Sequence, residues 1–268
     1  MEEKESRDKT KDVIITIPIY TLNFSEYEWA SIKQCFKVLR NYSICYIKPE
    51  SLDISTLNNK YKADYIESFP DIYFKGISGY NRLMLSPIFY NRFKGWKYIF
   101  IYQTDAWVFN DNLQFWCDKD YDYIGAPWIP KKKYSMPYYK LYVVLKSIYC
   151  KIFSQPNYNK LYYNVGNGGI SLRKTDKFAI ESQKRADEIE NLLSRKAKDF
   201  YNEDVYWSIT INEKGKILNI PQWQEALNFS FDKNPEESLQ MNNGNLPFCC
   251  HGWTKQKMLP FWQKYIMI

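Results

Sequence analysis

Short apolar runs alternate with amphipathic stretches through the first half of the chain. Residues 13–17 have the length and the β-branched content of a buried strand, and residues 44–47 and 65–69 are expected to form two further strands. Between them, Ser25-Glu26-Tyr27-Glu28 fits a capping box and predicts a helix that runs to about Leu39. Strands that alternate with helices are typical of a mainly parallel sheet, so the pattern predicts an α/β fold.

Further along the chain, the pattern predicts one more buried strand and several helices. Residues 78–93 have helical spacing, residues 98–102 form the next apolar run, and residues 122–126 form a short extended segment. We expect a strand that ends at 172, a long polar helix over 174–196, a further helix from about Asn202 and a last one from about Lys255. No repeat or linker divides the chain, so we expect one domain over 12–268 after a flexible tail at 1–11.

The most informative stretch is the end of the run at 98–102, where Gln103-Thr104-Asp105 follows abruptly. Loops at the carboxyl ends of parallel strands open into the crevice in which α/β sheets bind ligands. An ionised aspartate beside a buried strand is costly unless a cation or hydrogen-bond donors satisfy it. Asp105 therefore either binds a hard divalent cation that carries a diphosphate, or caps the next turn.

The composition narrows the classes of partner. The 268 residues are 45% hydrophobic and include 24 Tyr and 9 Trp, rings that either stack on sugars or fill a tyrosine-rich core. The formal net charge of +7 suits phosphate-bearing substrates, a membrane surface or nucleic acid. The sequence has neither a recognition helix nor zinc-finger spacing, so we expect no nucleic acid. It also has no GxGxxG after the first strand and no GxxxxGK[ST], which argues against a dinucleotide fold and a P-loop kinase.

The cysteines indicate a reducing compartment. The six of them, at 35, 45, 117, 150, 249 and 250, form no CxxC pair, so a zinc knuckle is not indicated. The chain begins with a charged segment instead of an apolar secretion signal, and no run of about 18 apolar residues could span a bilayer. We expect free thiols in the cytoplasm, with the inner face of the cytoplasmic membrane as one place of action.

Residues 129–160 differ from the rest of the chain in composition. Their apolar residues recur at helical spacing, at Leu141, Val144, Leu145, Ile148 and Ile152. Lysines are interspersed with them, at 131, 132, 133, 140, 146 and 151. The segment is therefore a basic aromatic insertion that either faces an anionic membrane or the acceptor, or covers the protein's own core with a lysine-rich face toward solvent.

His251 is the only histidine of the chain and stands in Cys249-Cys250-His251-Gly252-Trp253. A lone histidine is more often a structural residue, but one between an apolar run and a glycine can point from a strand end into a pocket. Imidazole binds Mn²⁺ beside carboxylate and phosphate oxygens. Cys249 and Cys250 could join it in a zinc site, but no fourth ligand is evident, so we expect buried thiols.

Two further stretches have patterns that occur at binding sites. Residues 164–169 include three glycines, which allow a positive φ and a close approach to a ligand, or else form a hairpin turn. Asn202 predicts a helix N-cap, with Glu203 and Asp204 in the first turn, where the macrodipole favours negative charge and lowers a carboxyl pKa. Because adjacent residues do not share a helix face, only one of the two carboxylates would point inward. The pair therefore either only stabilises the start of the helix, or supplies one carboxylate as a general base for a hydroxyl.

Along the chain, a strand-end aspartate is followed by a glycine-rich turn, a Glu-Asp pair and a late histidine. In the order of these motifs, the sequence resembles the GT-A superfamily of nucleotide-sugar glycosyltransferases. The closer resemblance is to a bacterial family described only as a glycosyltransferase-like domain of unknown function (domain of unknown function 5672). It covers residues 12–263 and rests on six motifs. These are Gly79-Tyr80-Asn81-Arg82-Leu83-Met84, Tyr102-Gln103-Thr104-Asp105-Ala106-Trp107, Tyr121-Asp122-Tyr123-Ile124-Gly125-Ala126-Pro127-Trp128, Gly166-Asn167-Gly168-Gly169, Glu203-Asp204 and His251-Gly252-Trp253.

The resemblance implies a role for each matching residue. Asp105 takes the place of the last aspartate of the GT-A DxD motif, a metal ligand, and His251 that of the late histidine that completes the metal site. Asp204 matches the general base of inverting enzymes, and Glu203 beside it would hold acceptor hydroxyls. Gln103 departs from the pattern, because it stands where the first aspartate of DxD would be, and a neutral amide there weakens metal binding.

The resemblance also implies the outlines of two substrate sites. The donor site would include Tyr80, Asn81, Arg82, Gln103, Thr104, Asp105, Gly168 and Gly169. The acceptor site would include Trp128, Asn167 and Trp253.

By resemblance, the chain is expected to be a glycosyltransferase of the hexosyltransferase type, with a single Rossmann-related GT-A domain whose central sheet is mixed, mostly parallel and covered by helices on both faces. Mn²⁺ or Mg²⁺ would neutralise the diphosphate leaving group of a nucleotide-sugar donor. Asp204 would deprotonate a hydroxyl of a glycan or lipid-linked acceptor in surface polysaccharide synthesis. We expect inversion at the anomeric centre, with retention left open. A non-catalytic carbohydrate-binding module built on Trp107, Trp128 and Trp253 and a phospho- or nucleotidyltransferase are the alternatives.

Overall fold

The computed structural model of the chain describes residues 12–132, 137–153, 155, 157–194 and 202–268. The expected tail at 1–11, Lys133 and the expected helix end at 196 lie outside the described residues. The strands are β1 (Val13–Pro18), β2 (Ser43–Pro49), β3 (Tyr65–Phe69), β4 (Tyr98–Tyr102), β5 (Ala106–Val108), β6 (Tyr123–Gly125), β7 (Ile170–Lys174), β8 (Ser230–Phe231) and β9 (Cys249–His251).

Helices surround and connect these strands. They are α1 (Glu26–Val38), α2 (Ser55–Lys60), α3 (Gly76–Leu85), α4 (Pro87–Arg92), α5 (Leu113–Asp118), α6 (Pro137–Ile152), α7 (Thr175–Lys184), α8 (Ala186–Ser194), α9 (Glu203–Ser208), α10 (Trp223–Phe229), α11 (Pro235–Met241) and α12 (Leu259–Trp262). Within the described residues, none of these helices is both long and apolar enough to cross a membrane.

A six-stranded sheet in the order β3-β2-β1-β4-β7-β6 forms the centre of the molecule. β3, β2, β1 and β4 are parallel to one another, and β7 is antiparallel to its neighbours β4 and β6. Every residue of β1 and of β4 is buried, so other elements cover both faces at the middle of the sheet. The expected α/β fold, with a mixed and mostly parallel central sheet, is confirmed.

A second, three-stranded sheet in the order β5-β9-β8 continues from the end of β4. β9 is antiparallel to β5, with Ala106 opposite His251, and parallel to β8, with Phe231 opposite Cys250. This register places the residues after β4, after β8 and at the end of β9 next to one another. All six cysteines are buried and carry free thiols.

The local predictions mostly match the structure, with corrections where helices break. The capping box at Ser25 is present, with its hydroxyl and the Glu28 carboxylate in the expected contacts. The single helix expected over 78–93 is two helices, because Ser86 caps α4 and Pro87 cannot continue α3. The long helix expected over 174–196 is also divided, at Arg185, into α7 and α8, and the last helix begins at Leu259 and not near Lys255.

Candidate active site

A cavity of about 1120 Å³ opens at the carboxyl ends of the parallel strands. The end of β1 contributes Pro18 to its wall, and the turn after β4 contributes Gln103, Thr104 and Asp105. The glycine-rich stretch before β7 and the first turn of α9 also line it. The position follows from the topology, because the carboxyl ends of parallel strands leave a crevice between their loops.

His251 lies between two carboxylates in this cavity. Its Nε2 is 3.1 Å from Asp105 Oδ1, and its Nδ1 is 3.2 Å from Asp232 Oδ1. Burial by itself would lower the pKa of the imidazole, but the two neighbouring negative charges raise this pKa to about 9. Burial by itself would raise the pKa of the Asp105 and Asp232 carboxyls. The neighbouring imidazolium outweighs this effect and holds the pKa of both carboxyls below their usual range. At neutral pH the cluster is therefore a protonated imidazole between two carboxylates.

Three strand ends bring this cluster together. Asp105 follows β4, Asp232 follows β8, and His251 is the last residue of β9, the strand that pairs with both β5 and β8. Gln103 joins the group, since its Oε1 is 3.1 Å from His251 Nε2. Thr104 lies beside them and donates from its hydroxyl to Glu28 Oε1 at 3.0 Å.

Gly168 and Gly169 leave room for two of the functional side chains. A Cβ on Gly169 would lie 2.1 Å from His251 Nε2, and a Cβ on Gly168 would lie 1.7 Å from Glu203 Oε1. The positive φ of this turn, 60°, belongs to Asn167, whose Oδ1 accepts a hydrogen bond from the Gly169 amide at 3.1 Å. The expectation that the glycines supply the positive φ is therefore wrong. They allow close packing against protein side chains instead.

Glu203 forms a buried ion pair with Arg173. The guanidinium Nη2 is 3.1 Å from Glu203 Oε1 and 2.9 Å from Oε2, and neither side chain is more than 3% exposed. Arg173 also donates to the Tyr90 hydroxyl at 2.8 Å and to Ser171 Oγ at 3.1 Å. Burial raises the pKa of Glu203 to about 7, although the guanidinium favours the ionised form. Glu203 is thus fixed in place at the cavity wall.

Asp204 is the more accessible carboxylate of the pair. It is half-buried at the cavity wall, and its Oδ1 accepts from the Val205 amide at 2.8 Å. Burial and the charge of Asp232 raise the pKa of Asp204, and together they outweigh the hydrogen bonds that lower it. The expectation that the helix N-terminus lowers this pKa is therefore wrong, because desolvation is the larger effect.

Asn81 anchors the start of α9. Its Oδ1 accepts from the Glu203 amide at 3.3 Å, and its Nδ2 donates to Asn202 Oδ1 at 3.4 Å. Asn202 has the backbone conformation of an N-cap, as expected, but its side chain makes no capping hydrogen bond. Tyr80 and Asn81 both line the cavity, and their expected contact with a donor stays a prediction.

Arg82, in contrast, lies outside the cavity. It forms an exposed ion pair with Glu190 on α8, at 2.6 Å between Nη1 and Oε2. One step along a helix turns a side chain by about 100°, so a residue next to inward-facing Asn81 points elsewhere. The expected contact of Arg82 with a nucleotide or its phosphates is therefore wrong for this structure.

The tryptophans divide between the cavity and the core. Trp128 and Asn167 both line the cavity, and their expected contact with an acceptor stays a prediction. Trp253 is fully buried; its Nε1 donates to Ser31 Oγ at 2.9 Å, and its ring packs on Trp107 at 5.3 Å between centroids. The expected acceptor role of Trp253 is therefore wrong, because its ring belongs to the core.

The side chains around His251 fit a hard divalent cation in their chemistry. Two carboxylates, an imidazole and an amide oxygen are donors that Mn²⁺ or Mg²⁺ accepts, and Asp232 Oδ2 is buried without a hydrogen-bond partner. In the part of the chain that the structure describes, no group of three or more His, Cys, Asp or Glu side chains is arranged to hold a metal ion. His251 is hydrogen-bonded to the carboxylates, so a cation would have to replace the imidazole proton at one of these contacts.

Sequence reasoning missed two residues of the site. Asp232 follows the run Phe229-Ser230-Phe231 much as Asp105 follows β4, so the strand-end rule applied to Asp105 would also have found it. Arg173 follows Ile170-Ser171-Leu172 in the buried part of β7. A buried arginine requires a buried partner of opposite charge. Two lysines that also line the cavity, Lys233 and Lys255, carry no local pattern that would have selected them.

Solved structures with the same fold are glycosyltransferases. The apo form of the glycosyltransferase GlyE from Streptococcus pneumoniae TIGR4 is 11% identical, with a TM-score of 0.55 over 97% of this chain and 61% of that one. A second GlyE structure gives a TM-score of 0.50 at the same identity and coverage. Core-mannan synthase A from Aspergillus fumigatus, in its Mn/GDP form, is 13% identical, with a TM-score of 0.41 over 65% of this chain and 64% of that one.

The similarity to the two GlyE structures establishes a GT-A-like glycosyltransferase fold. The chain spans about three fifths of the length of GlyE and of the mannan synthase. No curated protein is similar to it in sequence. A family model matches residues 64–251, most of the chain and all of the strands from β3 to β9. The chain therefore belongs to the family described as protein of unknown function DUF5672.

Proposed function

We propose that this protein is a glycosyltransferase that moves a hexosyl group from a nucleotide-sugar donor to a hydroxyl of a glycan or lipid-linked acceptor. The observation that carries the proposal is one cavity whose wall holds both the Asp105–His251–Asp232 cluster and the accessible carboxylate of Asp204. A cation-binding group and a base in one cavity are what transfer from a diphosphate to a hydroxyl needs. The GT-A-like fold supports the class of reaction.

On the donor side, carboxylate ligands and basic side chains lie together in the cavity wall beyond the end of β4. Asp105 and His251 would hold Mn²⁺ or Mg²⁺, and Asp232 would orient the imidazole through Nδ1. When bound, the ion acts as a Lewis acid that neutralises the diphosphate leaving group. Lys233 and Lys255 add positive charge to the same wall. Gln103 contributes a neutral oxygen in place of a second charged ligand, which favours a modest metal affinity.

On the acceptor side, Asp204 is the residue able to accept a proton. It lines the cavity, and a raised pKa makes a carboxylate a better base at neutral pH. Glu203 is held by Arg173 and Asn81, so it fixes the first turn of α9 and thereby the position of Asp204. A single base beside the donor suits direct displacement with inversion. Trp128 and Asn167 would contact the acceptor sugar.

The setting of the reaction is also part of the proposal. Six buried free cysteines suit a reducing compartment, so we place the reaction in the cytoplasm. A role in surface polysaccharide synthesis is part of the proposal and rests on the sequence resemblance alone. The alternative of a binding module loses support, because Trp107 and Trp253 are in the core and leave only Trp128 of its three proposed platforms at the cavity.

A thermal-shift screen of nucleotide sugars, with and without Mn²⁺, tests the donor site. A true donor at about 100 times its dissociation constant should stabilise the fold by about 2.7 kcal/mol. The same donor is then incubated with candidate acceptors, and release of the nucleoside diphosphate is measured. Release of a nucleoside monophosphate, with the sugar phosphate bonded to the acceptor, would instead indicate a phosphotransferase. Release of a sugar phosphate, with the nucleotidyl group bonded to the acceptor, would indicate a nucleotidyltransferase.

Two variants separate binding from chemistry. Asp204→Asn should keep the donor-induced stabilisation but slow transfer by roughly 10²- to 10⁴-fold, the usual contribution of a general base. Arg82→Met is the matched control and should change neither, since Arg82 lies outside the cavity. Full transfer activity in Asp204→Asn would remove the base from the proposal, and a panel without any stabilising nucleotide sugar would remove the proposal itself.

A further inference from the structure

The net charge of the chain is concentrated in one segment. Residues 129–160 contain seven lysines and no Asp, Glu or Arg. Because the formal net charge of the whole chain is +7, all the remaining residues together are neutral. The segment that contains α6 is thus a strongly basic part of an otherwise balanced protein.

The less exposed residues of α6 form a narrow stripe along the helix. Its half-buried and buried positions recur at helical spacing, at Tyr139, Val143, Lys146, Ser147 and Cys150. The opposite row faces outward and is apolar. Its members, each more than half exposed, are Leu141, Leu145, Ile148 and Ile152. The sequence left open a helix that covers the core and turns a lysine-rich face toward solvent. The outermost row of α6 is apolar, so the structure does not have this arrangement.

Lysines form a second exposed row beside the apolar one. Lys140 and Lys151 are eleven positions apart, which is close to three full turns, so they lie above one another on the helix. Lys140 and Leu141 are adjacent in sequence, so the two rows are about 100° apart. The helix carries no acidic residue. An apolar row with a lysine row at its edge is the pattern of a helix that lies in a membrane interface.

We propose that α6 docks the protein on an anionic lipid bilayer, with the Leu141–Ile152 row in the acyl boundary and the lysines on the headgroup phosphates. The 16 residues of α6 extend about 24 Å, and its lysines prevent burial across a bilayer, so it lies in the plane of the surface. Charge complementarity selects this occupant. A second copy of the chain would bring its own Lys140 and Lys151 to the same face and be repelled.

Docking through α6 would also orient the candidate active site. A second cavity of about 380 Å³ is lined by Lys131, which precedes α6, and by Tyr158, which follows it. It shares Trp128 and Lys233 with the main cavity. The route from the bilayer to the main cavity would then pass an aromatic and basic surface suited to a phosphate-bearing, lipid-linked acceptor. This consequence rests on the proposed transferase function, whereas the docking itself does not.

Vesicle co-sedimentation tests the docking without donor or acceptor. The wild-type protein should bind vesicles of phosphatidylcholine and phosphatidylglycerol, and bind those of phosphatidylcholine alone much more weakly. The triple variant Leu141→Ser, Leu145→Ser, Ile148→Ser should bind at least about 100-fold more weakly, since it removes most of the apolar row. Lys140→Glu with Lys151→Glu should weaken binding by about tenfold or more.

Matched controls use exposed residues elsewhere on the surface. Ile180→Ser on α7 and Lys214→Glu remove an exposed apolar and an exposed basic side chain, and both should bind vesicles as the wild type does. The changed α6 positions are exposed, so circular dichroism should show unaltered folding in every variant.

A fluorescent label reports whether α6 enters the lipid. Because the native cysteines are buried, Ile148→Cys can be labelled selectively with an environment-sensitive nitrobenzoxadiazole dye. The dye should shift its emission to shorter wavelength on anionic vesicles. Equal vesicle binding by the α6 variants, an unshifted dye, or an α6-dependent dimer in analytical ultracentrifugation without lipid would overturn the proposal. The docking and the transferase function are tested separately, because vesicle binding can be found in a protein without transfer activity and transfer activity in a protein that does not bind vesicles.

Discussion

The buried ion pair between Arg173 and Glu203 allows a quantitative prediction about stability. Arg173 is fully buried in β7, and its guanidinium donates to Glu203, to the Tyr90 hydroxyl and to Ser171 Oγ. Arg173→Met keeps much of the side-chain volume but leaves the Glu203 carboxylate in an apolar site without its partner. The cost should therefore be that of an uncompensated buried charge.

The expected size follows from this geometry. Removal of one partner of a buried ion pair costs about 3–5 kcal/mol, a large share of a typical unfolding free energy of about 5–15 kcal/mol. Burial already raises the pKa of Glu203 to about 7, and loss of the guanidinium raises it further. Arg173→Met should therefore lose more stability near pH 8 than near pH 5, because at the lower pH the folded state keeps Glu203 neutral. Adding Glu203→Gln should recover part of the loss.

Urea unfolding followed by tryptophan fluorescence and circular dichroism provides the measurement. Arg82→Met is the matched control, because its ion pair with Glu190 is exposed, at 40% and 61% for the two side chains. Such a pair contributes about 0–1 kcal/mol. If Arg173→Met were no less stable than Arg82→Met, or if its loss were greater near pH 5, the buried pair would not have the role assigned to it here.

Three further predictions address the site directly. Gly169→Ala should weaken donor binding by at least about tenfold, since a methyl group would displace His251. Gly95→Ala, which has no atom within 4 Å of its Cβ but a φ of +105°, should lower stability and leave donor binding unchanged. Equal donor affinities of the two variants in calorimetry would refute this. The wild-type unfolding free energy should fall as pH rises from about 4.5 to about 7, because the folded state binds the Glu203 proton more tightly than the unfolded state does. Glu203→Gln should make the unfolding free energy depend less on pH in this range. A wild-type unfolding free energy that rises over this range would contradict the effect of burial on Glu203. Trp253→Phe should lower stability by about 1–3 kcal/mol and leave the acceptor KM unchanged, whereas a raised KM at full stability would restore its acceptor role.

The strands and the start of α1 could be predicted from sequence because their signals are local. Runs of β-branched and aromatic residues mark β1 to β4, and the capping box at Ser25 marks α1. The position of Asp105 was predictable for a similar reason, since a carboxylate at the end of a buried strand points to the crevice. His251 could be placed beside it only through the resemblance to GT-A enzymes. Both now lie in one cavity, 3.1 Å apart.

The remaining features depend on tertiary contacts that no local pattern contains. Asn81 and Arg82 are both polar residues of one motif, and only the packing of α3 decides that the first faces the cavity and the second does not. Trp253 follows His251 closely, yet its ring belongs to the core. Which face of α6 is the less exposed one was likewise undetermined, because apolar and lysine rows are compatible with either orientation.

Isothermal titration calorimetry of nucleoside diphosphates, with and without Mn²⁺, tests the central claim that Asp105 and His251 together bind a cation that carries the diphosphate. In the wild type, Mn²⁺ should tighten nucleoside diphosphate binding by at least about tenfold, an effect typical of coupled sites. Arg82→Met should keep this gain, and Asp105→Asn and His251→Ala should each lose it. If Mn²⁺ left the affinity unchanged, or if Asp105→Asn kept the full gain, Asp105 and His251 would not be the cation ligands.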